Sequence, residues 1–474
     1  MSVSVTVDAP VARPSNVAPA TAGLAIGMLL SVLDQTIVSI ALPDIAVDFG
    51  DVGSLSWIVT CYVLASTATA ALYGRLSDRF GRRPVFLAAI TIFTVASALC
   101  GMAGSLPRLI AFRTLQGIGA GALFTVPTIA LAELFPVELR GRVQGAVGAI
   151  FAVAAVGGPL LGGVITDAVG WRWIFYINVP LGVLSAVLVA AALRLPRGAH
   201  TIRLDVVGSI LLLCTVVGIL LITELSSGSS PGSAGTTVAL GAAAIALLSA
   251  FIWWERRTTD PVLPMHLFTG RTTGVVLAAT AVLGALMFAT IVYLPTYLRS
   301  AFGMSATAAG LALNPYVLAF VVTSFVTGTL VTRTGQPRPF LIAGAAVIAV
   351  AVGLLGQLGA ESAFAVVAVE LAMLGLGVGM VMQLLVTVAQ NSVAPTDLAA
   401  VTAAVLSVRG LGMALGIAVY GRILSHQLDG EPNSATSTAE AIPHTLLLVL
   451  PLAAILLLLT IALPHPSRFG DVRS

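Results

Sequence analysis

Residues 74–83 read GRLSDRFGRR, and residues 328–337 read GTLVTRTGQP. Gly74, Leu76, Arg79 and Gly81 of the first stretch recur as Gly328, Leu330, Arg333 and Gly335 of the second, each 254 residues later. The first stretch joins the second and third long apolar runs of the chain, and the second joins the tenth and eleventh. A displacement of eight runs implies two six-helix bundles with two helices inserted between them. A seven-plus-seven repeat would have shifted the echo by seven.

The 474 residues around these stretches are 58% hydrophobic and 9% charged, where a soluble domain carries about 25% charged residues. A water-soluble multidomain protein is excluded. At about 20 apolar residues per crossing, the chain can hold about 14 spanning helices. Stretches such as 85–103 and 446–463 are almost continuously apolar, without the alternation of a membrane barrel, so the fold class is an all-α polytopic membrane protein. Crossings are expected near 21–43, 55–73, 84–104, 107–131, 143–166, 172–193, 204–225, 235–254, 272–297, 305–331, 338–358, 362–387, 398–423 and 443–463.

All 23 basic residues are arginine. With the N-terminus placed in the cytoplasm, 17 fall in tails and inner loops and 4 in outer loops (Arg108, Arg172, Arg299, Arg422), while Arg113 and Arg409 sit within helices. This bias satisfies the positive-inside rule and places both termini in the cytoplasm. The first 20 residues lack the pattern of a secretory signal and are expected to form a disordered tail. Cys61, Cys100 and Cys214 lie inside apolar runs and read as small packing residues, and the five histidines are scattered without ligand spacing. No metal, cofactor or nucleic-acid partner is indicated, and no polar cluster suggests a catalytic site. Without lysine there is no phosphate-binding GxxxxGK[ST] loop, so ATP-driven pumping by this chain alone is excluded.

Repeated bundles facing one another are a common plan of secondary transporters, with substrate sites near mid-membrane between the halves. Five segments make the resemblance specific: LDQTIVSIALPDI (33–45), GRLSDRFGRRP (74–84), RTLQGIGAG (113–121), GGPLLGG (157–163) and LDVVGSILL (204–212), with WERRTTDPVLPMHLF (254–268) as a sixth. Through them the sequence resembles the major facilitator superfamily and, within it, the 14-helix drug:proton antiporter branch. The resemblance implies a first bundle over 21–193, two linking helices over 194–260, a second bundle over 261–464 and cytoplasmic tails at 1–20 and 465–474. It also implies a single chain working as a monomer among membrane lipids, with protons and a small molecule as its partners.

Asp34 lies about 14 Å before Pro43, at 1.5 Å per residue, and Arg113 about 9 Å beyond Pro107. The two depths nearly match. A lone carboxylate there costs about 2.5–3.5 kcal/mol on insertion scales, so Asp34 should face the protein interior. Such a group can take a proton from one side and release it to the other as access changes. In the fold that the resemblance implies, the first and fourth helices both line the cavity, making an Asp34–Arg113 pair expected; it is either a proton-titrating device or a permanently ionised structural pair. Gln116, Gly117 and Gly121 share a helical face with Arg113, which serves function or close helix packing. Glu370 and Arg409 are equally costly in lipid: Glu370 reads as a second titrating group or a handle for cationic cargo, Arg409 as its partner or as a brace between bundles, and Gln116 and Arg409 are expected to line the substrate cavity.

In the loop, Gly74 and Gly81 are expected to permit a tight turn, Arg75, Arg79, Arg82 and Arg83 to hold it at the cytoplasmic surface, and Asp78 to accept from arginines or a helix N-terminus. The resemblance implies that this loop latches the two bundles, helped by Glu133, Glu138, Arg140 and Arg142. The second copy has Thr332 in place of the aspartate. Gly157, Gly158, Gly162 and Gly163 with Pro159 permit a close, kinked helix, and the segment resembles the signature of exporters in the superfamily. The stretch 226–237 (SSGSSPGSAGTT) reads as a flexible outer loop, and the two inserted helices are expected at the periphery. The function implied is proton-driven export of small amphipathic organic molecules, drugs or antibiotics, across the cytoplasmic membrane. A transporter dedicated to one metabolite or lipid is the alternative.

Overall fold

The computed structural model describes residues 14–49, 56–195, 205–227, 234–258, 261, 265–304, 306–359, 361–428 and 435–464, and among them there is no strand. The first bundle comprises α1 (Pro14–Phe49), α2 (Ser56–Phe80), α3 (Arg82–Gly101), α4 (Leu106–Leu134), α5 (Arg140–Val169), the short α6 (Trp173–Tyr176) and α7 (Asn178–Ala192). Then follow α8 (Val206–Ser227) and α9 (Ala234–Glu255). The second bundle comprises α10 (His266–Thr269), α11 (Arg271–Phe302), α12 (Ala306–Leu311), α13 (Asn314–Thr334), α14 (Arg338–Leu355), α15 (Phe364–Asn391), α16 (Leu398–Leu428), α17 (Ala435–Leu447) and α18 (Leu450–Ala462). Among the described residues nine helices are long and apolar enough to cross a membrane, or ten if the bent arms of α2, Trp57–Ala70 and Leu72–Phe80, form one span. Val164, Leu318, Val369 and Leu458 are each more than 60% exposed, an outer surface suited to lipid and not to water. The chain is a multi-span membrane protein.

Three boundaries differ from those expected. Residues 14–20 are not part of a disordered tail, because α1 opens at Pro14: proline suits a first helical turn, whose N–H groups lack partners in any case. Pro43 does not end α1, which runs on to Phe49 and puts Asp34 about 22 Å from that end. Of the stretch read as a loop at 226–237, residues 234–237 already belong to α9, while 228–233 lie outside the described residues.

Both echoed loops turn on a glycine of positive φ, though not in the same conformation: ψ is 153° at Gly81 and 10° at Gly335. Gly81, between α2 and α3, has φ 91°, and Gly335, after α13, has φ 67°, values that favour glycine. Gly74 and Gly328 have a different role from a turn, for both lie inside helices. A Cβ at Gly74 would come 2.8 Å from Ala403 Cβ on α16, and one at Gly328 would strike the Gly141 carbonyl on α5. So α2 of the first bundle packs on α16 of the second, and α13 of the second packs on α5 of the first. α8 touches α2, α16 and α9, so the first inserted helix seals against both bundles instead of standing apart from them.

The glycine motif on α5 divides by face. A Cβ at Gly158 would collide with Thr36 on α1, and one at Gly162 would come 3.1 Å from Ile37 O, whereas Gly157 and Gly163 face open space. The Thr36 hydroxyl donates to Ala154 O across the same contact at 3.2 Å. α5 is helical through residue 159, and the Pro159 side chain lies outside what is described. Gly158→Val should therefore overpack the α1–α5 contact and cost about 1–3 kcal/mol, read as a lower thermal midpoint of the purified protein in detergent. Gly157→Ala should leave that midpoint unchanged or raise it.

Candidate functional site

The site is assembled from helices α1, α2, α3, α4 and α7. α4 can seat deeply because Gly117, Gly119 and Gly121 present bare backbone: added Cβ atoms would meet Tyr62 O at 2.5 Å, Phe93 N at 2.7 Å and the Ser66 carbonyl at 2.6 Å. On the helical face that carries Gly117 and Gly121 stand Arg113 and Gln116, both 0% exposed.

Asp34 on α1 is 1% exposed, and three side chains donate to its carboxylate. Arg113 Nη1 reaches Oδ2 at 2.5 Å, while Gln116 Nε2 reaches Oδ1 at 2.9 Å and Asn178 Nδ2 reaches it at 2.8 Å. Gln116 and Asn178 also each donate to Ser97 Oγ at 3.0 Å, and that hydroxyl donates to Phe175 O at 2.9 Å. Arg113 donates further to Gln116 Oε1 at 2.8 Å and to Ile58 O at 3.3 Å. Its guanidinium lies 4.1 Å from the Tyr62 ring centroid, and Tyr62 in turn donates to Ser31 O at 2.9 Å. Arg113 Nη2 and Asn178 Oδ1 are buried without a hydrogen-bond partner.

Every polar neighbour that reaches the Asp34 oxygens does so as a donor. The pocket is therefore built for an acceptor-only carboxylate, with a charge-assisted pair at its centre. Asn178, Ser97 and Tyr62 are essential to this arrangement and were not singled out from the sequence. The available signal was an asparagine and a serine inside otherwise apolar runs. Cys100 does more than pack, since its Sγ approaches Gln116 Oε1 at 3.6 Å.

At the end of the molecule carrying the Gly81 turn, Asp78 pairs with Arg82 at 2.7 Å, and Arg82 pairs with Glu133 of α4 at 2.7 Å. Arg82 also donates to Ser77 Oγ at 2.7 Å, and Arg83 donates to Ala190 O. Arg79 lies over the Phe80 ring, and Arg75 donates to Pro261 O. The bonds of Asp78, Arg82 and Arg83 thus stay within the first bundle. Arg75, by contrast, reaches Pro261 ahead of α10, and further contacts between the bundles come from the next loop and α5. Arg140 donates to Gln390 O at 3.2 Å and Asn391 Oδ1 at 2.8 Å, and the Arg142 amide donates to Thr332 Oγ1 at 3.1 Å. Gln144 donates to Gln390 Oε1 at 3.3 Å, and Gln390 to Thr402 Oγ1 at 3.0 Å.

Glu370 and Arg409 are both buried, at 7% and 8% exposure, but they form no ion pair with each other. Glu370 Oε2 and Arg409 Nη1 are each buried without a partner. Glu370 sits near the Phe364 start of α15, whereas Arg409 lies well inside α16. The Arg409 guanidinium instead approaches Phe124 of α4, 5.9 Å from the ring centroid.

Residues 24–417 match the family described as the Major Facilitator Superfamily. The chain is 35% identical over 405 residues to the multidrug transporter protein MdtP of Bacillus subtilis, covering 85% of this chain and 74% of that one. It is 31% identical to multidrug resistance protein 3 of the same organism, covering 88% and 81%. Among solved structures, the human organic anion transporter MFSD10 superposes with a TM-score of 0.65 at 16% identity, over 95% of this chain and 100% of that one; at that identity the likeness is one of fold. A match over most of its length, with an all-helical structure to accompany it, makes this chain a transporter of the major facilitator superfamily and not an enzyme.

Proposed function

We propose that the chain exports small amphipathic organic molecules through the cytoplasmic membrane, driven by inward proton flow, with fourteen crossings and both termini inside. The names of its relatives favour drugs as cargo. Helices at all fourteen expected apolar stretches and the concentration of arginine on one side support the topology.

The observation that carries the reading is the Asp34 carboxylate, ringed by three donors in a buried site. A proton arriving on Asp34 turns one acceptor oxygen into a donor, which then faces Arg113, Gln116 and Asn178, all of which donate. The network loses a bond whichever oxygen is protonated, and Arg113 loses its counter-charge. Removing one partner from a buried pair is destabilising by about 3–5 kcal/mol. That is enough to shift a two-state equilibrium between closed and open arrangements by two orders of magnitude or more, at 1.4 kcal/mol per factor of about ten. Protonation therefore disfavours this arrangement and favours one in which water or cargo reaches Arg113, and deprotonation restores it.

The contacts of Arg140, Gln144 and the Arg142 amide with the second bundle serve, in this scheme, as the cytoplasmic clasp. The Asp78–Arg82–Glu133 cluster stiffens the first bundle beneath it. Within the segment Gly157, Gly158, Pro159, Gly162 and Gly163, it is Gly158 and Gly162 that let α5 lie close on α1. Glu370 is a second buried acid available for proton transfer.

Everted membrane vesicles energised by respiration, loaded with a dye panel of both charge signs, test the coupling. Asp34→Asn should abolish gradient-driven dye movement while dye binding persists; undiminished pumping removes Asp34 from the coupling step. The pair itself has a separate signature in a double-mutant cycle on detergent thermal stability. Asp34→Asn and Arg113→Gln should each destabilise the protein, and their combination should recover at least about 1 kcal/mol relative to the sum.

A further inference from the structure

Four arginines of this chain, three of them largely buried and the fourth, Arg172, half-exposed, have defined partners, whereas a fifth, Arg409, does not. Arg113 has Asp34, Arg82 has Asp78 and Glu133, and Arg172 has Asp48 at 2.8 Å. Arg140 has the carbonyl of Gln390 and the side chain of Asn391. Arg409 has no acidic partner among the described residues, and its Nη1 is buried with nothing to donate to. An uncompensated cation at such a position is expensive, so its retention calls for an anion that the described residues do not supply.

The position of Arg409 narrows what that anion is. It stands eleven residues into α16, about 16 Å from the Leu398 end, and Phe124 stands ten residues before the Leu134 end of α4, about 15 Å away. Both are near the middle of a hydrocarbon layer about 30 Å thick, where transporter substrates bind between repeats. The backbone around Arg409 is pinned on two sides: a Cβ at Gly284 of α11 would strike the Arg409 carbonyl, and one at Gly410 would come 3.0 Å from Thr67 Cγ2 on α2. The backbone at Arg409 thus lies at the seam between the bundles, and its guanidinium has a first-bundle aromatic ring beside it.

Resting on the export reading, we propose that Arg409 is the anchor for an anionic group of the cargo, so that the chain selects amphipathic molecules carrying a carboxylate or similar anion beside an apolar or aromatic body. The planar fork of the guanidinium matches a carboxylate in two parallel hydrogen bonds. The Phe124 ring supplies an apolar wall against which an aromatic body can pack. In the present arrangement the seam is closed over Arg409, and it becomes reachable when α4 and α2 move away from α16.

Two xanthene dyes of opposite charge, fluorescein (anionic) and rhodamine 6G (cationic), provide the test, with binding to the purified full-length chain in detergent read by fluorescence polarisation. The wild type should bind fluorescein about tenfold more tightly than rhodamine 6G. Arg409→Gln should lose about tenfold or more of the fluorescein affinity while rhodamine 6G binding stays within a few fold, which also reports that the variant is folded. Arg409→Lys, which keeps the charge but not the fork, should fall between, and Phe124→Leu should weaken fluorescein binding several-fold. Equal or tighter wild-type binding of rhodamine 6G overturns the proposal, as does an Arg409→Gln protein that holds fluorescein as the wild type does. Failure of the export reading looks different: Arg409-dependent fluorescein binding would persist, but neither dye would move in energised everted vesicles.

Discussion

A carboxylate and a guanidinium, both with fully buried side chains, are stable in an apolar helical bundle only if nearly every lone pair and N–H group around them is satisfied. That requirement fixes the geometry of most of the first bundle. Asp34 is carried by α1, its donors by α4 and α7, and the hydroxyl that orients those donors by α3. A shift of any of these helices by an ångström or so would break hydrogen bonds at the pair. The bare glycine backbones of α4 are what allow the helices to approach closely enough to meet the requirement.

The sequence was most legible where an interaction is local or repeated. The echo of four residues across 254 positions acquires physical content in the structure: Gly74 permits close packing of α2 on α16 and Gly328 of α13 on α5, while Gly81 and Gly335 make the turns. The reading of Gly74 as a turn residue was mistaken because a glycine next to a loop and a glycine next to another helix look alike in one dimension. Asp34 and Arg113 were paired by matching depths measured from prolines. The pairing is found in the structure, yet one of the rulers was misplaced, since α1 continues past Pro43 to Phe49. Proline there breaks the apolar pattern without breaking the helix.

Long-range partners were not legible. Asn178 and Ser97 are single polar residues inside apolar runs, and nothing local says that they face the same carboxylate 144 residues from Asn178. The separation of Glu370 from Arg409 was equally hidden. Opposite charges in neighbouring helices invite pairing on electrostatic grounds, but Glu370 sits a short way from the start of α15 while Arg409 sits about 16 Å into α16. Charge alone does not fix depth.

One helix ties the three polar features together. α4 carries Arg113 of the buried pair, Phe124 beside Arg409 at the seam, and Glu133, which binds Arg82 at the turn end. From Arg113 to Glu133 the helix rises about 30 Å, so an electrostatic change at Asp34 cannot reach the far contacts through space: the intervening distance exceeds any direct interaction worth more than a few tenths of a kcal/mol in a screened or hydrated setting. It can reach them mechanically. α4 presents bare glycine backbone to α2 and α3, and Pro127 cannot donate the backbone hydrogen bond that would reach the Leu123 carbonyl. In the proposed scheme, loss of the Asp34 bond would free the Arg113 end of α4 first, ahead of the seam contact at Phe124 and of the turn-end cluster beyond the proline. In the proposed cycle that order lets cargo leave Arg409 toward the outside while the clasp formed by Arg140 and Gln144 is still engaged, which is the condition for opening one side of a transporter at a time.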